Sequence, residues 1–539
     1  MKIIFSANKK KYVVSDDFEN NDFSLKIINK DGKLKIDVEP KVKLSNIELS
    51  VILDEDYFNV SSIFTNGYQS WTDSHEYRMN ESENKIKFPM TLLDKKYKFS
   101  NYGDYKFSNN KKNLRHAVSY SYLKYIDKIK LIGSLEEKTG YTFIYFDQKN
   151  NKITLKKDLE GLSLTNDYTL INIISIEGEY ETVFEKYFRA LKIKPRTMSK
   201  KIGYTSWYKH YQNISEDIIL DNISSIKDNK KNFEIFQIDD GFESYVGDWL
   251  NLDNEKFPNG LKLSVDKIKD ANMTPGIWLA PFSAERNSEL YKNHKDWLIH
   301  DSNEKIVIAG GNWSGFAALD IYNKEVVKYL ETVFNKYKEY GFKLFKLDFL
   351  YGICVVPHHN KTRGEIMEDG LNLLRRLVGE DNLILGCGVP LFNAFGKVDF
   401  CRVGMDMGLD FDDTWYMRRA HRERVSTKNT MLNTIYRRHL NGRAFLNDPD
   451  VFLLRDDLNL TVNQRKNLIY TNSLFGNLLF TSDNVKEYDK EKIEILDCAL
   501  EMFDSKVIQV KNIDEFEFSI TYITKNLEEK NVTIDIMGK

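Results

Sequence analysis

The feature that most constrains this chain is a rhythm between about residues 200 and 450. Short apolar, strand-like runs alternate there with helical or loop connections, and most of the runs end in polar residues. Eight runs are legible: Ile202 to Trp207, Phe233 to Ile238, Thr274 to Leu279, Phe316 to Leu319, Lys343 to Phe349, Leu383 to Gly388, Val398 to Val403, and Arg443 to Leu446. Between them, Asn323 to Tyr340 sets Val326, Val327, Leu330, Val333, Phe334 and Tyr337 at helical spacing. Eight strands in this rhythm predict a (β/α)8 barrel. A doubly wound sheet competes, but it would carry a Gly-rich phosphate turn after its first strand. The first run here ends in Thr205-Ser206-Trp207-Tyr208.

The flanks read differently. Ser24 to Asn29 and Leu34 to Val38 bracket Lys30-Asp31-Gly32-Lys33, a hairpin signal, and Lys152 to Lys157 and Thr169 to Ile174 continue the period-two style. The tail returns to it in Phe516 to Tyr522 and Val532 to Ile536. The expected organisation is multidomain, α and β: an N-terminal β-sandwich over residues 1–195, a barrel over 196–478 and a small C-terminal β-domain over 479–539.

Composition narrows the function. Lys plus Arg number 78 against 80 Asp plus Glu, a net charge of −2, so no positive excess exists to hold a nucleic-acid backbone. No run of about 18 apolar residues crosses a bilayer, and Met1 to Lys10 is too short and too soon charged for a signal peptide. Cys354, Cys387, Cys401 and Cys498 form no C-x-x-C pair. That sparse usage fits a reducing cytoplasm. The nine histidines show no zinc spacing, so no metal is expected.

In a barrel of this kind the working residues sit at the C-terminal strand ends. Those ends are polar here: Asp239-Asp240-Gly241, Trp278, Asp320, Lys346 with Asp348, Cys387, Arg402 leading to Asp406, and Asn447-Asp448-Pro449-Asp450. A single Asp at such a place caps the following helix; seven such ends together point to a site. Lys346 and Asp348 are two apart and share a face. Two inward charges are costly unless paired or used, and an ionised pocket carboxylate can act as a nucleophile. The bland alternative is a structural ion pair filling the barrel. Asp406 lies on a loop between Gly404 and Gly408, where a loop or capping role competes with a catalytic one. Two carboxyl groups are what cleavage of a sugar acetal requires. Trp207, Tyr208, Trp249, Trp278, Trp297 and Trp313 supply flat rings of the kind that suit sugar C–H faces, with core packing favoured for Trp297.

These residues resemble the melibiase-type glycoside hydrolases of family 36, retaining α-galactosidases. The resemblance is carried by Gly203 to Tyr208, Gln237 to Phe242, Gly247-Asp248-Trp249, Lys256 to Gly260, Pro275 to Pro281, Phe345 to Phe349, Leu385 to Gly388, Cys401 to Asp406, Asn447 to Asp450 with Leu453-Leu454-Arg455, and Asn66 to Trp71 upstream. It implies a nucleophile at Asp348 and an acid/base at Asp406. It implies galactose contacts from Asp239, Asp240, Lys346 and Arg402, pocket walls at Trp278 and Cys387, and an aromatic, Trp71, lent by the N-terminal domain. It also implies the same three-part architecture. Tyr204, Phe242 and Met405 depart from common family residues, and the chain is shorter than the tetrameric bacterial members, which leaves a homo-oligomer open.

The expected function is a retaining exo-α-galactosidase on melibiose- or raffinose-type α-galactosides, with no cofactor. An α-galactosyltransferase and an α-N-acetylgalactosaminidase share the barrel. A non-catalytic carbohydrate-binding protein is the alternative from another class.

Overall fold

A computed structural model describes residues 1–79, 81, 91–108, 114–227, 233–420 and 422–538. The N-terminal region builds two antiparallel sheets, of six and eight strands. Strand Lys33–Pro40 shows why: its burial alternates, with Leu34, Ile36 and Val38 inward. Its partner Phe23–Lys30 is joined to it by Asp31 and Gly32, whose φ values of 53° and 73° make the turn that matches sheet twist. Ile3, Phe5, Leu25, Val51 and Ile153 fill the space between the sheets.

The central sheet is parallel and closes on itself. Its strands are β1 (Lys201–Thr205), β2 (Ile235–Ile238), β3 (Thr274–Leu279), β4 (Leu344–Leu347), β5 (Leu383–Gly386), β6 (Phe400–Arg402), β7 (Leu446–Asp448) and β8 (Leu478–Thr481). Each pairs with the next from β1 to β7, and β8 pairs with β1. Closure uses a broken strand. Beyond β7 the chain passes Pro449 and Asp450 and resumes as Val451–Phe452, which pairs with β8. Pro449 has no N–H for a ladder, and Asp450 has φ 76°. The Asn477 N–H donates to the Asn447 carbonyl at 2.9 Å and ties the seam.

One expected barrel strand is replaced by another that lies outside the eight expected runs. Phe316–Ala318 is not in the barrel. It is the middle strand of a separate antiparallel sheet with Ser283–Glu285 and Ile308–Gly310, and β3 pairs directly with β4. A three-residue apolar run ahead of a capped helix looks the same in an excursion as in a barrel. The missing eighth strand is Leu478–Thr481, fully buried and also short. Asp320 therefore ends the excursion rather than a barrel strand.

Helix α1 (Lys324–Tyr340) matches its periodicity. The Asn323 side chain accepts from the Glu325 N–H, Gly341 terminates the helix at φ 107°, and Val326, Leu330, Val333, Phe334 and Tyr337 are buried. Helix α2 (Arg363–Val378) starts on a reciprocal Thr362–Glu365 cap. The tail forms a three-stranded antiparallel sheet, Lys506–Asn512, Glu517–Ile523 and Glu529–Asp535, whose Phe518 and Ile520 join the barrel-side core. Among the described residues no helix is long and apolar enough to cross a membrane.

Candidate active site

The C-terminal ends of β2, β3 and β4 form the floor of a cavity of about 460 Å³. That size falls within the roughly 300–1,000 Å³ of small-molecule sites. A larger depression, about 960 Å³, lies over the N-terminal sheets and contains none of the barrel strand-end residues.

Parallel register sets Trp278 beside Lys346. The Lys346 Nζ donates to Asp239 Oδ2 at 2.8 Å, and both side chains are buried. Gln237 Nε2 adds a bond to the same oxygen at 2.8 Å, and the Asp240 N–H reaches Asp239 Oδ1 at 3.0 Å. Burial alone would push the Asp239 carboxyl up; the ammonium and these donors outweigh it and hold the group below its usual range. Asp240 Oδ2 accepts from Trp313 Nε1 and Gln212 Nε2, each at 3.0 Å. Burial keeps Asp240 above its usual range despite them.

Asp348 follows β4 directly. Its Oδ2 accepts from Trp278 Nε1 at 3.1 Å, and its Oδ1 accepts from the Phe349 N–H at 2.8 Å. Phe349 sits at φ 53°, which bends the chain sharply off the strand. Burial raises the Asp348 carboxyl, the Lys346 ammonium pulls it down, and the Asp406 charge raises it again; the net direction is up.

One wall is built on Arg402, at the end of β6. Its Nη1 donates to Asp406 Oδ1 at 2.7 Å, its Nε to Asp448 Oδ2 at 3.2 Å, and its Nη2 lies 2.8 Å from Asp450 Oδ1. Asp450 also accepts from the Tyr208 hydroxyl and from the Met407 N–H. Burial pushes Asp450 up to about 7, against the pull of Arg402. Arg402 is 3% exposed at the side chain whereas Asp406 is 40% exposed, so the carboxylate is anchored from behind and open in front.

The opposite wall comes from the N-terminal region. Trp71 Nε1 donates to Cys387 Sγ at 3.2 Å, and the indole meets Phe349 edge-on at 5.1 Å. Buried Arg437 fixes the loop by donating to the carbonyls of Gln69, Ser70 and Thr72. Gly388, at φ 54°, is required: a Cβ there would come within 3.0 Å of both the Trp71 ring and the Phe349 nitrogen. Burial holds the Cys387 thiol well above its usual pKa, so it is a neutral wall.

Trp71, Asp239, Asp240, Trp278, Lys346, Asp348 and Asp406 thus line one cavity, with Cys387 and Arg402 one contact behind. Trp207 and Trp313 line it too. Trp249 is buried behind Trp278, Tyr208 stands behind Arg402, and Trp297 packs on His294 and Tyr329. Gln212 is not singled out by sequence, and Asp450 is named there only within a polar strand end, with no role of its own. Gln212 carries no local signal, whereas Asp450 lies in a polar strand end with an enforced Pro449 break.

Comparison with known proteins bears on the same stretch. Residues 175–364 match the melibiase family model. The match covers 190 of the chain's 539 residues. The matched segment spans β1 to the start of α2 and so holds Asp239, Asp240, Trp278, Lys346 and Asp348. The chain is 29% identical over 175 residues to α-galactosidase Mel36A of Lactobacillus acidophilus, covering 31% of this chain and 23% of that protein. It is 28% identical over 174 residues to an A type blood α-D-galactosamine galactosaminidase of Flavonifractor plautii, covering 28% and 16%. The chain therefore aligns with less than a quarter of the length of these curated relatives. In fold, it matches TtGalA, an α-galactosidase from Thermus thermophilus solved with p-nitrophenyl α-D-galactopyranoside. The TM-score is 0.72 at 22% identity, over 96% of this chain and 98% of that one. The family 36 α-galactosidase AgaA of Geobacillus stearothermophilus superposes with a TM-score of 0.62 at 11% identity, over 94% and 71%.

Proposed function

We propose that the chain is a retaining exo-α-galactosidase that removes terminal α-galactosyl residues from melibiose- or raffinose-type galactosides. The observation that carries this reading is that two carboxylates, Asp348 and Asp406, open into one sugar-sized cavity with different surroundings. The first is buried on the floor and the second is half-exposed on the wall.

In the first step an Asp348 oxygen attacks the anomeric carbon as the glycosidic C–O bond breaks. Asp406 gives its proton to the departing oxygen, and a covalent galactosyl-enzyme forms. In the second step Asp406 takes a proton from water, whose oxygen attacks the anomeric carbon and frees Asp348. The two inversions give net retention. Asp239, Asp240 and Lys346 present acceptors and a cation at the cavity's inner end, a set suited to sugar hydroxyls. Trp278 orients Asp348 while supplying a ring for the sugar's C–H face. No step draws on a metal or organic cofactor. All four cysteines are free, which supports a cytoplasmic setting.

The test is Asp348→Gly with an aryl α-galactoside, followed by NMR of the product anomer. Loss of turnover, with β-galactosyl azide formed when azide is added, supports double displacement. Full residual activity, or inverted product from the unmodified enzyme, sinks it. Similarity to the galactosaminidase keeps a 2-amino or 2-acetamido sugar as the second reading. Parallel assay of the aryl galactoside and aryl N-acetylgalactosaminide separates the two. Product analysis with excess acceptor sugar separates hydrolysis from transfer, and binding without turnover would favour a non-catalytic sugar binder.

A further inference from the structure

Two adjacent histidines, His358 and His359, have no part in the proposed reaction. They lie between β4 and α2, and Asp320 faces them from the end of the antiparallel excursion. One ligand-type atom from each of the three lies within 4.8 Å of the others. His359 Nε2 is 2.8 Å from Asp320 Oδ2. His358 Nδ1 is 3.1 Å from the Val356 carbonyl oxygen.

A carbonyl only accepts, so this contact puts the proton on Nδ1 and leaves a bare lone pair on Nε2. That Nε2 is buried and meets no hydrogen-bond partner among the described residues. A buried acceptor without a donor is uncommon and costly. It is, however, the way metal-binding imidazoles are held, with one nitrogen on a carbonyl and the other toward the ion.

The surroundings fix the other donors. The Tyr322 N–H holds Asp320 Oδ1 at 3.0 Å, and the Tyr322 ring stands 4.8 Å from that of His359. His359 and Asn360 adopt φ values of 53° and 55°, which turn the chain so that neighbouring histidines converge. Asn360 then exchanges two hydrogen bonds with the Ser163 backbone, at 2.7 and 3.0 Å, anchoring the loop on the N-terminal region.

Two imidazoles and one carboxylate form a donor set of the zinc class, whereas calcium or magnesium would call for oxygens throughout. Tetrahedral bonds of about 2.0–2.1 Å place donors ~3.4 Å apart, so modest side-chain closure completes the geometry. We infer that Asp320, His358 and His359 bind one divalent transition-metal ion of the zinc class, with water at the outward position. His359 is 47% exposed at its side chain, which leaves a path for the ion. The ion would staple the excursion between β3 and β4 to the segment that follows Asp348. None of the three residues lines the cavity, so the site is structural.

The test uses the full chain, freed of metal by a chelator, with zinc chloride as the probe. Calorimetric titration and elemental analysis should give one zinc per chain, and zinc should raise the thermal midpoint. His359→Ala and Asp320→Asn should each weaken zinc binding by ~10-fold or more and remove the midpoint shift. Aryl α-galactoside hydrolysis should stay unchanged in both. Two results would overturn the site: no zinc-dependent shift in the unmodified chain, or a shift that survives the combined His358→Ala/His359→Ala change. Catalysis is read separately, so failure here leaves the glycosidase reading standing.

Discussion

On the floor of the cavity, Lys346 sets one ammonium against Asp239; on the wall, Arg402 spreads one guanidinium over Asp406, Asp448 and Asp450. The floor is held by register between neighbouring strands, and its carboxylates are buried. The wall is held by a cation that reaches from a strand end to a loop, and its outermost carboxylate stays in contact with solvent. The difference matches two chemical demands. A nucleophile gains from a dry, rigid setting, while an acid/base must meet both a leaving group and water. It also explains the choice of cation. A point charge suffices for one partner, but only a planar fork can orient three.

The contrast breaks most directly at Asp348. Asp348→Gly should lower turnover of an aryl α-galactoside on the order of 10⁴-fold or more, because no other group can form the covalent intermediate. A loss below tenfold would mean that the floor carboxylate is only structural. Next in size is Arg402→Lys. Lysine keeps the charge but cannot hold three carboxylates, so Asp406 loses its anchor. Turnover of galactosides with alkyl leaving groups should fall ~10²-fold, and aryl galactosides, which need less proton donation, should fall less. Equal losses on both would show that Arg402 serves the sugar and not the acid/base.

Sequence carried the floor more readily than the wall, for a physical reason. Lys346 and Asp348 stand two apart on a strand, and period two puts them on one face without further knowledge. The Asp31-Gly32 hairpin and helix α1 were equally local, the first through turn chemistry and the second through apolar spacing. The wall depends on where a chain returns. Asp450 reaches Arg402 because the seventh strand breaks at Pro449, and Trp313 reaches Asp240 because an excursion folds back over the barrel mouth. The same excursion supplied Phe316 to Leu319, which mimics a barrel strand, while the true closing strand at Leu478 is four residues long. Short strands leave too little pattern to separate a barrel from an insertion.

pH sharpens the comparison at smaller amplitude. Asp348 must be ionised to attack, and its carboxyl is raised by burial and by Asp406, with Lys346 opposing. The acidic limb of kcat/KM should therefore lie above the ordinary aspartate value of about 3.9, with activity lost as pH falls through the raised value. Asp406→Asn removes a raising charge and should move the limb down on an activated aryl substrate. Lys346→Gln removes the opposing charge and should move it up. Limbs that stay fixed in both variants would show that neither charge reaches Asp348.

The smallest effect is expected at the two indoles, which make the same type of bond to unlike partners. Trp278 Nε1 donates to Asp348 on the floor; Trp71 Nε1 donates to the neutral Cys387 thiol. Phenylalanine at either position keeps a ring and removes the donor. In Trp278→Phe one Asp348 oxygen is left without its donor while buried, so kcat should fall along with kcat/KM. In Trp71→Phe only a weak bond to sulfur is lost together with part of the ring face, so KM should rise ~2–10-fold with kcat nearly constant. A kcat loss in Trp71→Phe as large as in Trp278→Phe would mean that the loop held by Arg437 positions the nucleophile through Phe349, and the N-terminal region would then belong to the floor as much as to the wall.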